Sequence, residues 1–236
     1  MRSDITDRGS VAICAPQPYW DDVAEKVRTT LSINVTRVRG PEELHQLCER
    51  GGIDVLFFPH WSWVIAESIH SKQECIMFHM TDLPFGRGGT PLQNLITRGF
   101  TETKISAFRC QKELDAGPIY LKRSFALDGS AQEILISAAS LIEAMILEIL
   151  KTQPTPQPQV GDVVNFDRRK PDESRIDWHM QPDQLFDHIR MLDADYYPRA
   201  FAEINNYSLE FSDVSKEEGA LIAKVKIINR GVRSEQ

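Results

Sequence analysis

The 236-residue sequence has few cysteines, no long apolar stretch and a shortage of basic charge. Its four cysteines, Cys14, Cys48, Cys75 and Cys110, form no CxxC pair. That spacing argues against a zinc ribbon and leaves reduced, structural thiols as the expectation, with no metal site. No apolar run reaches the roughly 18–20 residues needed to span a bilayer, so no membrane association is expected. The opening Met1-Arg-Ser-Asp-Ile-Thr-Asp7 has acids where a signal peptide carries its apolar stretch, and a cytoplasmic address follows as the expectation. Lys and Arg total 27 against 34 Asp and Glu, a net charge of -7. Such a chain grips a long phosphate backbone poorly, because that affinity comes from cations displacing counterions, so no nucleic-acid partner is expected. No internal repeat is present. With 42% hydrophobic residues the composition is that of a folded globular protein rather than a disordered one.

Apolar periodicity organises the first half. Val11–Ala15 reads as a short buried strand, and 21–31 as a helix with Val23, Val27 and Leu31 on one face. A strand at 33–38 follows, then a helix opened by Pro41 and closed by Gly51-Gly52, then strands at 53–58 and 75–78. Strands alternating with helices at this spacing predict an α/β fold, a Rossmann-like, mostly parallel sheet. Ligands of such sheets sit beyond the carboxyl ends of strands, which directs attention to the segments after Phe58 and Phe78. Ser130–Thr152 is the clearest helix, its stripe running through Ile134, Ala138, Leu141, Met145 and Ile149. The proline-rich run from Thr152 predicts a linker over 152–162. The expected division is a tail over 1–10, a core over 11–151, that linker, and a small C-terminal α+β extension over 163–236 packed on the core. The extension should hold a helix near 182–192 and strands at 200–204, 208–211 and 221–228.

Two loops carry the candidate chemistry. His79-Met-Thr-Asp-Leu-Pro-Phe-Gly-Arg-Gly-Gly-Thr-Pro-Leu-Gln93 directly follows the fourth strand, its glycines and prolines making it a shaped loop with His79 at the base. Glu113-Leu-Asp-Ala-Gly-Pro-Ile119 is the second. A His and an Asp on separate loops at one sheet edge form a candidate acid–base pair.

The pattern His-x-Thr-x-Leu-Pro-x-x-Arg-Gly, then Thr101-Glu-Thr103, then Leu114-Asp-Ala-Gly-Pro118 resembles the signature of the 10-formyltetrahydrofolate-dependent formyltransferases. Arg169-Lys-Pro, Ile176-Asp-Trp178, Ile189-Arg190 and Pro198-Arg-Ala-Phe201 are similar to the segment after the catalytic domain in methionyl-tRNA and sugar N-formyltransferases. The resemblance spans roughly residues 53 to 204. It implies a formyltransferase core and the transfer of a formyl group from N10-formyltetrahydrofolate, as co-substrate, to a primary amine. That chemistry needs a neutral amine, a stabilised oxyanion and a proton route. The family's Asn–His–Asp trio implies His79 and Asp115 as catalytic residues. His79 would either donate to the oxyanion or take the amine proton, with Asp115 orienting the imidazole. The Asn does not carry over, since its position holds Met77, and a thioether donates nothing. Asn94 and His60 are candidate substitutes. His60, Trp61 and Trp63 align with the loop that passes the pterin, and Gln111, Leu114 and Asp115 with the opposite wall. Thr81, Arg87, Gly88, Gly89 and Tyr197 are the candidate acceptor-binding residues.

Three acceptor readings stand. The first is an amino sugar on a nucleotide, of the UDP- or dTDP-4-amino-4,6-dideoxyhexose type. The second is methionyl-tRNA. The third is a non-catalytic folate or nucleotide binder. The acidic charge and the short, non-basic tail favour the first. The tail strands offer edges for pairing across a two-fold axis, so a homodimer joins the expectations.

Overall fold

The computed structural model describes residues 9–231. Of the tail expected over 1–10, the first eight residues lie outside that range. The strands are β1 (Ser10–Cys14), β2 (Asn34–Val38), β3 (Val55–Phe58), β4 (Glu74–His79), β5 (Phe85–Gly88), β6 (Glu102–Arg109), β7 (Ile119–Ala126), β8 (Val164–Phe166), β9 (Ala200–Ile204), β10 (Tyr207–Glu217) and β11 (Ala220–Asn229). The helices are α1 (Trp20–Leu31), α2 (Pro41–Arg50), α3 (Glu67–His70), α4 (Pro91–Thr97), α5 (Ala131–Thr152) and α6 (Pro182–Arg190). The chain forms two compact units. Of the described residues, 9–88, 103–125 and 136–165 make the first, and 89–102, 126–135 and 166–231 the second. This partition interleaves three segments of chain in each unit, whereas the sequence division places a single cut at 152–162.

The first unit is built on a six-stranded sheet in the order β2-β1-β3-β4-β6-β7. Strands β1 to β4 run parallel, with Val11 opposite Val55 and Phe58 opposite Met77. β6 then pairs antiparallel to β4, so that His79 faces Ser106 across the ladder. The mostly parallel α/β sheet expected from the alternation is therefore present. Its short strands bury both faces, and Ile13, Leu56, Phe57, Phe58 and Ile76 are all at most 1% exposed. α1 buries Trp20, Val23, Ala24 and Val27 at helical spacing, and α2 starts with Pro41 and buries Leu44 and Leu47.

Side chains alternate along β4, so Cys75, Met77 and His79 share one face. On that face Ala12, Cys14, Leu56, Phe58, Cys75 and Cys110 form one buried cluster, with Met77 and Cys48 packed against it. All four thiols are free. Burial raises Cys14 and Cys75 well above the ordinary thiol range and Cys110 to about 11, which keeps them protonated and unreactive.

In the second unit β9, β10 and β11 form an antiparallel sheet in the order β11-β10-β9, with a bulge in β10 between Ser212 and Ser215. Arg190 of α6 donates to the carbonyls of Leu127 and Gly129 at 2.7 and 2.9 Å, tying α6 to the start of α5. Ser130 and Glu133 cap α5 reciprocally, the Glu133 carboxylate accepting from both the Ser130 N–H and its hydroxyl at 2.8 Å. Among the described residues, no helix is long and apolar enough to cross a membrane.

Candidate active site

β4 delivers His79, 8% exposed, to the carboxyl end of the sheet. Its Nε2 lies 2.7 Å from the carbonyl of Gly86. A carbonyl only accepts, so Nε2 carries the ring proton, and the lone pair of the neutral imidazole falls on Nδ1. Nδ1 lies 3.7 Å from Asp115 Oδ2, too far for a hydrogen bond. The firm hydrogen bond of that carboxylate oxygen is elsewhere: it accepts from the Gly88 N–H at 2.9 Å. Asp115 is 7% exposed and adopts a left-handed backbone with φ of 50°. The site thus presents a basic nitrogen beside a buried carboxylate, with the opposite ring nitrogen already committed.

The loop between β4 and β5 is fixed at almost every polar group. Thr81 is fully buried; its hydroxyl turns to the Gly86 carbonyl at 3.4 Å, and its own carbonyl accepts from Ser106 Oγ at 2.7 Å. Thr81, expected to bind the acceptor, is placed inside the loop, with both its hydroxyl and its carbonyl bonded there. Asp82 is held by Lys104 at 2.8 Å and by Lys122. Those two cations hold its carboxyl below the usual range. Arg87 is committed to Gln159, through Nε at 3.1 Å and Nη2 at 2.8 Å, and to Glu113 at 3.2 Å. It braces the loop as well.

Beyond β3 the loop carries a row of aromatic rings. Phe58 and Trp61 meet edge-on with centroids 5.5 Å apart, and Trp61 meets Trp63 at 4.9 Å. Trp63 is 43% exposed, while the buried indole Nε1 of Trp61 has no hydrogen-bond partner among the described residues. Burial pushes His60 down to about 4, so its imidazole is neutral near pH 7. On the other loop Gln111 and Leu114 are exposed.

The remaining expected residues lie in the second unit. Gly89 lies against Arg168, where a Cβ would come within 2.5 Å of the Arg168 Cβ, so glycine there serves chain packing. Tyr197 is largely packed away, its hydroxyl bonded to the Gln93 side chain and its pKa raised by burial. That placement departs from the substrate-facing role expected of it. Asn94 spends its amide locally, Nδ2 donating to the Gly89 and Thr90 carbonyls at 3.1 Å and to Asp167 O at 3.0 Å, while Oδ1 accepts from Arg98. It is a turn-holding residue and leaves no donor spare for an oxyanion.

Sequence reasoning missed Gln159. Its Nε2 donates to the carbonyls of Asp115 at 2.8 Å and Gly117 at 2.9 Å. The proline-rich run that contains it signals only an extended chain.

A sheet of this order bearing a shaped His loop and a buried Asp is the formyltransferase fold. A sugar N-formyltransferase from Shewanella sp FDAARGOS_354 has it too, at a TM-score of 0.66 over 89% of this chain and 98% of that one, with 9% identity. A solved methionyl-tRNA formyltransferase from Clostridium thermocellum is 41% identical, with a TM-score of 0.91 over 94% of this chain and 99% of that one. The chain belongs to the formyltransferase family. Residues 171–228 match the family model described as the methionyl-tRNA formyltransferase C-terminal domain. A curated methionyl-tRNA formyltransferase from Sinorhizobium medicae is 31% identical over 185 residues, 72% of this chain and 58% of that protein. One from Sorangium cellulosum is 30% identical over 147 residues, 59% of this chain and 46% of that protein. The chain thus spans about half the length of the curated relatives it matches.

Proposed function

We propose that the chain transfers a formyl group from N10-formyltetrahydrofolate to the primary amine of a nucleotide-linked amino sugar. The observation that carries the reaction type is the His79 ring, with its Nε2 proton given to Gly86 and its Nδ1 lone pair turned toward buried Asp115. Of the two roles open to His79, this geometry favours the base. A proton taken from the attacking amine at Nδ1 produces an imidazolium whose new N–H faces Asp115, and the carboxylate stabilises it where it forms. Donation to an oxyanion from the neutral ring would instead require breaking the Gly86 contact.

The aromatic row beyond β3 fits a flat heteroaromatic ring. Trp63 offers an exposed face, and the unsatisfied Trp61 Nε1 is a buried donor awaiting an acceptor, so Trp61, Trp63 and His60 would hold the folate. When bound, that co-substrate supplies an activated formyl carbon. His79 takes the amine proton as the new N–C bond forms and passes it to the donor's leaving nitrogen as the old C–N bond breaks, while Asp115 steadies the charge.

Charge supports a small acceptor. The segment matched by the methionyl-tRNA formyltransferase C-terminal model, 171–228, carries twelve Asp and Glu against six Lys and Arg. A net negative surface repels a tRNA backbone. The second reading, methionyl-tRNA as acceptor, is favoured by that same family match and by the 41% identity to the solved Clostridium thermocellum protein. A homodimer paired through β11, an edge strand whose Ile227 is 67% exposed, accompanies the first reading and is read by sedimentation.

The test incubates the protein with N10-formyltetrahydrofolate and a panel of UDP- and dTDP-linked amino sugars, alongside charged methionyl-tRNA, and reads formylated product by mass. Turnover of a sugar nucleotide is the expected result. Turnover of methionyl-tRNA alone transfers the assignment to the second reading. No turnover, with folate binding shown by titration, points to another amine.

A further inference from the structure

We propose that Gln159 is the positioning residue that keeps Asp115 aimed at His79, a role that rests on the formyl-transfer reading of this site. The argument starts from a closed circuit of contacts. The Gly88 N–H donates to Asp115 Oδ2 at 2.9 Å. The Asp115 carbonyl accepts from Gln159 Nε2 at 2.8 Å, and Gln159 Oε1 accepts from Nε and Nη2 of Arg87, the residue next to Gly88. One side chain therefore joins the Asp115 backbone to the side chain of the residue that precedes Gly88.

Only one orientation of the amide serves. Arg87 can only donate, and the carbonyls of Asp115 and Gly117 can only accept, so the oxygen must face Arg87 and the nitrogen the loop. Each amide atom then makes two hydrogen bonds, and the group is fully used. Asp115 needs such a clamp. Its φ of 50° is sparsely populated for a residue with a Cβ and persists only where the surroundings impose it. Gly117 shows how tightly the loop is folded down, since a Cβ there would sit 1.7 Å from the carbonyl oxygen of Arg109. The segment carrying Gln159 is itself anchored. Gln157 and Ile119 exchange two backbone hydrogen bonds, at 2.7 and 2.8 Å, alongside β7. The proline-rich stretch thus works as a strap over the Asp115 loop.

The test compares wild type with Gln159→Met, which keeps length and removes all four hydrogen bonds, and Gln159→Glu, which keeps acceptors for Arg87 but turns an oxygen toward two carbonyls. Two quantities are read. The first is the NMR shift of the Gly88 amide proton, a direct report on its bond to Asp115 that requires no turnover. The second is kcat set against KM for the formyl donor. The expected result is an upfield move of the Gly88 signal in both variants, with kcat down roughly 10- to 100-fold and KM changed less than about twofold. A Gly88 signal that stays in place in a folded variant overturns the proposal, whatever the activity. A shifted signal with unchanged kcat overturns it too, because Asp115 would then have moved without consequence. If wild type turns over no acceptor, the formyl-transfer reading fails separately, and the Gly88 shift alone still decides whether Gln159 sets the Asp115 loop. Gln159→Glu covers the case in which Gln159→Met does not fold.

Discussion

Two loops leave neighbouring strands at the same end of the sheet and are built on opposite plans. The loop after β4 is saturated: Leu83 N–H donates to Ser106 Oγ at 3.3 Å, Asp82 is held by two lysines, the Gly86 carbonyl accepts from His79, and the Gly88 N–H donates to Asp115. The loop after β3 contacts its surroundings mainly through rings and leaves the Trp61 Nε1 buried and unmatched among the described residues. A group that must pass a proton has to be in place before substrate arrives, so its supports are internal. A surface that only cradles a flat ligand can leave a polar atom for the ligand to satisfy. The contrast separates residues expected to govern kcat from those expected to govern KM.

The sharpest way to break it is at His79 and Asp115. His79→Ala and Asp115→Ala are each expected to lower kcat at least about a hundredfold. The fold should survive, because one buried partner left unsatisfied costs only about 1–3 kcal/mol. Steady-state kinetics with circular dichroism on the same samples checks both, and near-normal turnover in either variant removes the pair from the mechanism. Met77→Asn comes next. Met77 packs against the cluster containing Phe58 and Cys75, so an amide there is expected to be poorly satisfied, costing on the order of 1–3 kcal/mol in a denaturant melt, without raising kcat beyond about twofold. A tenfold gain instead would mean that the thioether occupies the place of a missing oxyanion donor.

Much of the first unit was legible because its signals are local. Buried apolar runs located β1 to β4 to within a residue or two, and Pro41 with Gly51 bracketed α2. The proposed pair, His79 and Asp115, is readable in the sequence because short segments carry each with recognisable neighbours. Other features depend on what lies far away in sequence. β5 reads as loop, since Phe-Gly-Arg-Gly has little strand propensity, and it is a strand only because β8, about eighty residues on, pairs with it. β10 extends to Glu217 where 208–211 was expected, since a bulge interrupts the alternation that marks a strand. Asn94 and Thr81 look available for substrate until the fold turns each inward. Gln159 had no local mark at all, because its partners at 87, 115 and 117 come together only in the folded chain.

The comparison is sharpened on its open side by Trp63→Ala. A lost aromatic face is worth about 0.5–1.5 kcal/mol, so KM for the formyl donor should rise roughly threefold to tenfold while kcat holds within about twofold. A fall in kcat of similar size would mean that the aromatic row also orients the reacting groups, and the division between the loops would dissolve.

The smallest effect concerns His60, which begins the aromatic loop. Burial lowers its pKa from 6.5 to about 4, so the folded chain keeps it neutral where the unfolded chain protonates it. Between those two values the unfolded state binds more protons, and stability must rise with pH. His60 therefore contributes fully above about pH 6.5, and its contribution is lost as pH falls toward 4, by on the order of 1–3 kcal/mol. His188, also lowered by burial, acts in the same direction, so the whole protein's profile cannot isolate one ring. The difference between wild type and His60→Asn can, since asparagine does not titrate. Denaturant melts at pH 7 and pH 4.5 should show wild type losing more stability than His60→Asn across that interval. Equal losses would mean that water reaches His60 and that the loop after β3 is open even at its base, which would place the start of the ligand-facing surface at His60 rather than at Trp61.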